Sequence, residues 1–498
     1  MDSSISETTS TATSPPASND RPIRRRFATT GRVRSGCLTC KARKKKCDDQ
    51  RAGSLEPCQS CVRLGLICER LPQRKVVLPQ QKKLRDGEIL DNKSLPSRSP
   101  SRSESPQPIS GITCGNNGFM TLYSLDSASP ERILLKYYVE RLAPLCSILQ
   151  HGGNEFRNVL LPMAIDDSSL LYALFTYASI HAPSSGPVPC ITPHTRLRFE
   201  SEAARGLAEA IRQNSVSEST IACALICSTA EVVSGDTQRW SIHLRGAGHL
   251  IEQLGGPERL RQTSDGRFLL RNFAYHDIMA ALSTSWRPRF RGAYWIDDDS
   301  CLSPDCLMGI AHQILGHISD MCYFIADTND QDDSSPAFAS STTRRGQSLA
   351  QLLLSQTLIP CTTLSGSELE SLLHHAEAFR YAALLRLYRF LSRYAASSTT
   401  YVTQVSECVQ SIMTHMYQVP PNLYCELGLV FPLFMAGIEG LDDKVKVSYI
   451  RNRLQNIESW TGFQHVSRVR EVLESVWSTG WTDWETLLNT LDWQISLA

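Results

Sequence analysis

Six cysteines near the N-terminus constrain the fold of this chain more than any other feature of its sequence. They follow the pattern C-x2-C-x6-C, then a gap of ten residues, then the same pattern again. Every cysteine of the second triplet lies 21 residues after its counterpart in the first. The six are Cys37, Cys40, Cys47, Cys58, Cys61 and Cys68. A spacing that repeats at all three positions is typical of one metal-ligand set rather than of scattered thiols.

The number of thiolates predicts a cluster of two zinc ions. A structural zinc takes four ligands, so six cysteines are too many for one ion and too few for two separate sites. Two ions are accommodated if two of the sulfurs bridge them. Residues 31–70 contain few large apolar side chains and cannot build a core of their own. Metal binding must therefore supply most of the folding free energy, on the order of 10 kcal/mol per zinc.

Three other interpretations of the cysteines are weaker. A disulfide scaffold needs an oxidising compartment, but residues 1–20 are rich in Ser and Thr and lack the apolar segment of a signal peptide. A single-zinc ribbon built on the two C-x2-C pairs leaves Cys47 and Cys68 without a role. A redox C-x2-C pair would need a strand–helix context that the sequence does not show. The two-zinc interpretation is the one we adopt.

The loop between the second and third cysteines is strongly cationic. Its basic residues are Lys41, Arg43, Lys44, Lys45 and Lys46. A charge run is usually a solvated surface, but zinc ligands on both sides fix this one in place, as phosphate contacts and base readout require. Residues 21–85 hold 19 Lys and Arg against 4 Asp and Glu, whereas the remainder holds 32 against 46. Such a basic segment on an acidic remainder indicates a nucleic-acid-binding module.

Residues 37–68 resemble the fungal binuclear zinc cluster DNA-binding domain, including Pro57 just before the fourth cysteine. The resemblance implies that Cys37 and Cys58 bridge the two metals. By the same resemblance, Cys40 and Cys47 would complete one site, and Cys61 and Cys68 the other.

The resemblance also implies how DNA would be read. The first short helix of the domain would enter the major groove over a CGG-type triplet, with base contacts from Arg43 and Lys44. We expect Lys44 to contact guanine, and Lys41, Lys45 and Lys46 to hold phosphates and set the register.

The segments that flank the cluster are polar. Residues 1–30 are predicted to be disordered, and Arg24, Arg25 and Arg26 within them would serve nuclear localisation or add phosphate contacts. Residues 71–125 are predicted to be a flexible linker. Val77 and Leu84 are seven residues apart, but Asp91 breaks the heptad, so a long coiled coil is not expected. Monomeric binding and a homodimer through the C-terminal domain both remain open.

Residues 126–498 show apolar side chains at three- and four-residue steps, which predicts a large all-helical domain. The clearest helix is 367–396, with Ser367 and Glu370 as a capping box. The polar segment 327–347 is predicted to be a disordered loop. The fold class is therefore mainly α: a small two-zinc domain at 31–70, a disordered linker, and a helical domain. Further helices are predicted near 131–149, 167–182, 196–213, 218–233, 240–254, 267–284, 305–325, 401–416, 443–459 and 465–478.

Three segments of this helical domain resemble the second type of fungal-specific transcription factor domain. They are Trp240-x-x-His243-Leu244-x-Gly246-Ala247, Phe431 to Glu439, and Leu473 to Trp477. The resemblance implies an all-helical regulatory domain and supplies no catalytic residue.

Signals for other functions are weak. Gly246 and Gly248 form G-x-G, but no strand precedes them, so close helix packing is the better interpretation. His243 and His249 lie six residues apart and are not expected to form a metal pair. No catalytic motif occurs, and the longest apolar run, residues 427–438, is too short to span a membrane. We therefore predict neither an enzyme nor a membrane protein.

The C-terminal tail mixes acidic residues with Trp481, Trp484 and Trp493. That composition suits an activation segment that docks on a coactivator. It also suits a final amphipathic helix packed on the domain, which we favour because exposing three indoles to water is costly.

These features together predict a nuclear, sequence-specific, DNA-binding transcription regulator of RNA polymerase II genes. Its cofactor would be two Zn²⁺, and its partners would be DNA with CGG-type half-sites and the transcription machinery or coactivators. The alternative is a zinc-containing scaffold or coregulator whose cluster binds protein rather than specific DNA; the basic loop argues against it.

Overall fold

The computed structural model describes residues 47, 58–63, 129–149, 153–182, 191–296, 303–331, 333, 335–361, 364, 366–397, 399–439 and 443–498. The chain divides into one unit of Met1–Gln107 and a second of Pro108–Ala498. Within these described ranges the secondary structure is helical, and the only β-type pairing is a single bridge between Asp305 and Gly309. The prediction of a mainly α fold is confirmed.

One short helix, α1 (Gln59–Val62), belongs to the first unit. The first half of the second unit contains α2 (Pro130–Tyr137), a π-helical turn (Tyr138–Leu142), α3 (Ala143–Leu145), α4 (Glu155–Asn158), α5 (Leu160–Asp166), α6 (Ser168–His181), α7 (Pro193–Arg212), α8 (Glu218–Val233), α9 (Arg239–Gln253), α10 (Pro257–Leu260) and α11 (Ser264–Thr284). The second half contains α12 (His312–Asn329), α13 (Pro336–Ser355), α14 (Gly366–Leu391), a 3-10 turn (Ser392–Tyr394), α15 (Val402–Gln418), a second 3-10 turn (Tyr424–Leu429), α16 (Val430–Ile438), α17 (Lys444–Thr461), α18 (Gln464–Thr479) and α19 (Trp484–Leu491).

Local signals in the sequence set where several of these helices begin. Ser217 and Thr220 form a capping box at α8: the Ser217 hydroxyl accepts from the Thr220 N–H at 3.2 Å, and the Thr220 hydroxyl accepts from the Ser217 N–H at 3.1 Å. Asp443 accepts from two backbone N–H groups at the start of α17. These bonds satisfy donors that the first turn of a helix leaves without partners.

The helix α8 is the centre of the first half of the domain. It is apolar around most of its circumference, with Ile221, Leu225 and Val232 all buried. It packs against α6, α9 and α11. A helix that is apolar around most of its circumference is buried in the protein. The sequence of α8 therefore requires that other helices pack around it.

The helix α16 has the same role in the second half. All of its residues from Val430 to Ile438 are buried, and it packs against α14, α15, α17 and α18. The longest apolar run of the sequence is therefore a core helix. None of the described helices combines the length and the apolar content that a membrane span requires.

Two of the segments that carry the family resemblance meet in this core. The Trp477 indole donates to the Gly437 carbonyl at 2.9 Å. A Cβ atom at Gly437 would lie 2.8 Å from a methyl carbon of Leu473, so the glycine permits close approach of α16 and α18. Likewise, a Cβ atom at Gly248 would lie 3.1 Å from the Phe273 ring, which fits the helix-packing interpretation of that glycine.

The prediction of a disordered loop at 327–347 is wrong. The helix α12 continues to Asn329, and α13 begins at Pro336 and runs beyond the segment. Ser335 caps α13 by accepting from the Phe338 N–H at 3.1 Å, and proline at the first helical position is pre-organised for a helix. Only a narrow face of α13, which includes Gly346, is buried. The remaining residues of the segment are polar, and their composition is typical of a loop.

Two further boundaries differ from the sequence prediction. The helix α14 begins at Gly366, so Ser367 lies inside it and its carbonyl accepts from the Ser371 hydroxyl at 2.8 Å. The helix predicted from residue 305 begins only at His312. Residues 305–309 instead form a tight turn, closed by the two backbone hydrogen bonds between Asp305 and Gly309 at 2.8 and 2.9 Å.

The C-terminal tail packs on the domain, as the favoured interpretation predicts. Trp484 is buried at the start of α19, with its ring 5.1 Å from that of Phe434 in an edge-to-face arrangement. Ile495 and Leu497 are also buried. The Trp240 indole donates to the Gln494 carbonyl at 2.7 Å. These contacts join the last residues to both halves of the domain.

An ion pair anchors α19. The Glu485 carboxylate accepts from the Ser285 hydroxyl at 2.5 Å and from Arg386 at 2.9 Å, and it also pairs with Arg393. Burial alone would raise the pKa of this carboxyl. The charges of Arg386 and Arg393, with the two hydrogen bonds, outweigh burial and lower the pKa to about 2.

The variant Glu485→Gln tests this anchor. We expect the free energy of unfolding at pH 7 to fall by about 1–3 kcal/mol, because the buried Arg386 loses its countercharge. The folded-state pKa is depressed, so the contribution of Glu485 is complete above about pH 5 and is lost as the pH falls towards 2. Urea unfolding at several pH values measures both effects.

The matched control is Glu474→Gln. Glu474 pairs with Arg451, but both side chains are more than a third exposed, so the expected loss is below about 0.5 kcal/mol. Equal losses in the two variants would contradict the anchoring role of Glu485.

Candidate metal centre

Three of the six predicted zinc ligands fall among the described residues, and the structure brings them together. Cys47, Cys58 and Cys61 form one buried cluster. Their exposed fractions are 6%, 1% and 0%. Cys47 comes from the first cysteine triplet and the other two from the second, so the two triplets converge on one centre.

The C-x2-C spacing positions Cys58 and Cys61 through a short helical turn. Cys58 is the N-cap of α1, with φ −68° and ψ 147°, and its carbonyl accepts from the N–H groups of Cys61 and Val62, both at 3.0 Å. Both cysteines belong to the same buried cluster. The short turn therefore brings the two thiols of the C-x2-C pair to one centre.

Among the described residues 47 and 58–63, the three cysteines have no other buried apolar side chain beside them. The buried core of the cluster consists of the three cysteines, and Val62, the apolar neighbour within α1, is 63% exposed. Thiols packed together without an apolar shell among the described residues are the donor set that zinc prefers. The residues present therefore fit a zinc–thiolate centre.

The other predicted site residues lie outside the described residues. They are Cys37, Cys40 and Cys68 among the zinc ligands, Lys41, Arg43, Lys44, Lys45 and Lys46 in the basic loop, and Arg24, Arg25 and Arg26 near the N-terminus. Their roles remain predictions.

The histidines of the helical domain do not form a second metal centre among the residues described. His249 lies beside Glu252 and Arg289 on the surface, while burial lowers the pKa of the separate His243. His374 contacts His415, with 2.9 Å between their Nδ1 atoms, whereas His375 is buried beside Phe379.

The sequence analysis missed one polar cluster in the helical domain. Potential ligand atoms of Glu155, Asp305 and Cys306 all lie within 4.8 Å of one another. Arg271 pairs with both carboxylates, at 2.5 Å to Glu155 and 2.8 Å to Asp305. No local motif marks these residues, because they come from three distant parts of the chain.

Two protein-family models match the chain. The model described as the fungal Zn(2)-Cys(6) binuclear cluster domain matches residues 35–76. The model described as the fungal specific transcription factor domain matches residues 133–498. Both resemblances inferred from the sequence are confirmed.

Curated relatives agree with these matches. An uncharacterized transcriptional regulatory protein from Schizosaccharomyces pombe is 26% identical over 297 residues, which cover 51% of this chain and 55% of the relative. The transcriptional activator protein UGA3 from Saccharomyces cerevisiae is 24% identical over 300 residues, which cover 50% of this chain and 54% of the relative. The chain spans about half the length of the curated relatives it matches. No solved structure matches it.

The cysteine centre, the helical architecture and the two family matches lead to one assignment. The chain belongs to the family of fungal transcription factors that carry a zinc-binding Zn(2)-Cys(6) binuclear cluster domain and a fungal-specific transcription factor domain.

Proposed function

We propose that this protein is a nuclear, sequence-specific regulator of RNA polymerase II genes that reads CGG-type triplets through a zinc-held basic loop. The observation that carries the proposal is the convergence of Cys47, Cys58 and Cys61 in one buried centre. Cys47 directly follows the basic loop in the sequence. Together with Cys40, the proposed ligand before the loop, it would hold both ends of the loop at the metal centre.

The proposed ligand set is the full set of six cysteines around two Zn²⁺. Cys37 and Cys58 would bridge the metals, Cys40 and Cys47 would complete one tetrahedron, and Cys61 and Cys68 the other. When bound, zinc supplies the cross-links that fold a segment with too little apolar surface for its own core. The chain's own contribution is to place the thiolates and to exclude water from them.

The basic loop supplies the affinity for DNA. Five cations in six residues would neutralise several phosphates and release their counterions. Fixing the loop between metal ligands means that little conformational entropy is lost on binding. Lys44 would donate to guanine, with Arg43 at the neighbouring base-contacting position and the remaining lysines on phosphates.

The other elements of the proposal follow from the rest of the chain. Arg24, Arg25 and Arg26, with the basic loop, would direct nuclear import or extend the phosphate contacts. The helical domain would act as the regulatory domain, through contacts with the transcription machinery or coactivators, and not as a catalyst.

Selection of binding sites from random duplexes by the full chain would give the number and the orientation of the half-sites. This result would distinguish binding by a monomer from binding by a homodimer.

An electrophoretic shift with a duplex that contains CGG tests metal dependence. We expect binding by the zinc-loaded chain, loss of the shifted band after chelation, and recovery after zinc is added back, because the loop depends on the metal for its shape. Tight binding that persists without zinc would contradict the mechanism. Zinc-dependent folding with no preference among duplexes would favour the scaffold or coregulator alternative.

Lys44→Ala tests base readout. We expect binding to the CGG duplex to weaken by ~1–3 kcal/mol and discrimination against altered triplets to relax, because one base-edge contact is lost. Competition with duplexes that carry single-base changes measures both effects.

Lys45→Ala is the matched control for Lys44→Ala within the same loop. It should weaken binding to all duplexes alike and reduce the salt slope by roughly 1, as loss of a phosphate contact predicts. If both variants gave this uniform loss, Lys44 would not read a base.

A further inference from the structure

The helical domain contains a cavity of about 80 Å³ that has no part in the proposed reading of DNA. It lies at the boundary between the two halves of the domain. The first half contributes wall residues from α8, α11 and the segment after α3, and the second half contributes wall residues from α16, α17 and α18. Ligand sites occur preferentially where two bodies of a protein meet. The cavity is partly open to solvent, so a small molecule can enter it.

The wall of this cavity is largely apolar. Among the described residues that line it, none is Asp, Glu, Lys or Arg. Several of its apolar side chains keep a small exposed fraction, which is 5% for Ile148 and Val232, 9% for Leu307 and 8% for Phe463. These side chains therefore still offer apolar surface that a ligand can cover.

The polar side chains of the wall offer no charge to a ligand. The Thr229 hydroxyl already donates to the Leu225 carbonyl at 3.0 Å. Burial lowers the pKa of His276 and that of His465 to about 4, so both imidazoles are neutral at pH 7. A charged ligand would lose its hydration here without gaining a countercharge from a side chain of the wall.

The volume of the cavity sets the size of the ligand. An apolar cavity of about 150 Å³ accommodates benzene, which corresponds to about 25 Å³ for each carbon atom. By this measure the cavity of about 80 Å³ has room for about three carbon atoms. Water fills such a space poorly because it needs polar partners. An empty cavity, in turn, costs stability in proportion to its volume.

We propose that this cavity is a binding site for a small, uncharged aliphatic molecule of about three carbon atoms. The ligand would contact Val232 in the first half of the domain and Phe463 in the second. It would therefore bind both halves at once and stabilise their packing, as a ligand does when it binds only the folded state. Occupation of the cavity would act on the helical domain and not on the zinc centre.

Three molecules that each contain three carbon atoms test the proposed ligand class on the zinc-loaded full chain. They are cyclopropane, propionate and propylamine, which are respectively neutral, anionic and cationic at pH 7. Saturation-transfer NMR and the ligand-induced rise in Tm measure binding. We expect cyclopropane to bind in the millimolar range, which is the limit for so few atoms. The two charged molecules should bind at least roughly tenfold more weakly, because the wall cannot replace their hydration.

The variant Val232→Ile tests whether the cavity is the binding site. It adds one methyl group to a wall residue and so removes about a third of the free volume. We expect cyclopropane to bind at least roughly tenfold more weakly, and the Tm without ligand to rise because a void is filled. The control is Val469→Ile, the same change at a buried valine of α18 that is not among the described residues lining this cavity. It should leave cyclopropane binding unchanged.

The variant Ile148→Ala tests the size of the cavity. It removes three carbon atoms from the wall, which would enlarge the cavity to about 150 Å³, the volume that holds benzene. We expect benzene to bind this variant at least roughly tenfold more tightly than it binds the wild-type chain. The control is Ile412→Ala, the same change at a buried residue that is not among those lining the cavity. It should show no such gain.

Three results would overturn the proposal. The first is absence of cyclopropane binding to the folded wild-type chain, and the second is equal or tighter binding of propionate or propylamine. The third is equal weakening of cyclopropane binding by Val232→Ile and Val469→Ile, because binding would then report general stability. If circular dichroism showed that Ile148→Ala did not fold, Val232→Ile would decide alone: unchanged cyclopropane affinity would exclude the site.

Discussion

The bond between zinc and thiolate sulfur is the interaction on which the DNA-binding part of this protein depends. Cys47, Cys58 and Cys61 are buried together although no buried apolar side chain joins them in the part of the first unit that the structure describes. Residues 31–70 hold few large apolar side chains, so hydrophobic burial can supply little of the folding free energy of this segment. A bound metal would supply the larger part. The same bonds would fix the cationic loop, so folding and recognition of DNA would share one origin.

The helical domain is stabilised in a different way. Its core is built around two mostly apolar helices, α8 and α16, and each packs against several neighbouring helices. Polar contacts of the C-terminal residues then join the helices of the domain. Glu485 joins α19 to α14 and α11, and Trp240 binds the carbonyl of Gln494. The C-terminal residues thus close the domain rather than extend from it.

Much of this fold could be predicted from the sequence, because it rests on local patterns. The three- and four-residue periodicity places most helices, and the aromatic content of the tail predicts that Trp484 is buried. The segment 327–347 was mispredicted because its polar face dominates its composition, although Ser335 and Pro336 form a recognisable helix start. The cysteine pattern predicts the metal centre directly. Glu155, Arg271 and Asp305 could not be predicted as neighbours: Arg271 is 116 residues from one partner and 34 from the other, and only the tertiary fold joins them.

The central claim is that two metal ions, bridged by sulfur, hold the basic loop in shape. Elemental analysis of the purified full-length chain by mass spectrometry, referred to protein concentration, tests this claim most directly. The account predicts two zinc ions per chain. One zinc per chain, or none in a chain that still binds CGG-containing DNA, would contradict it.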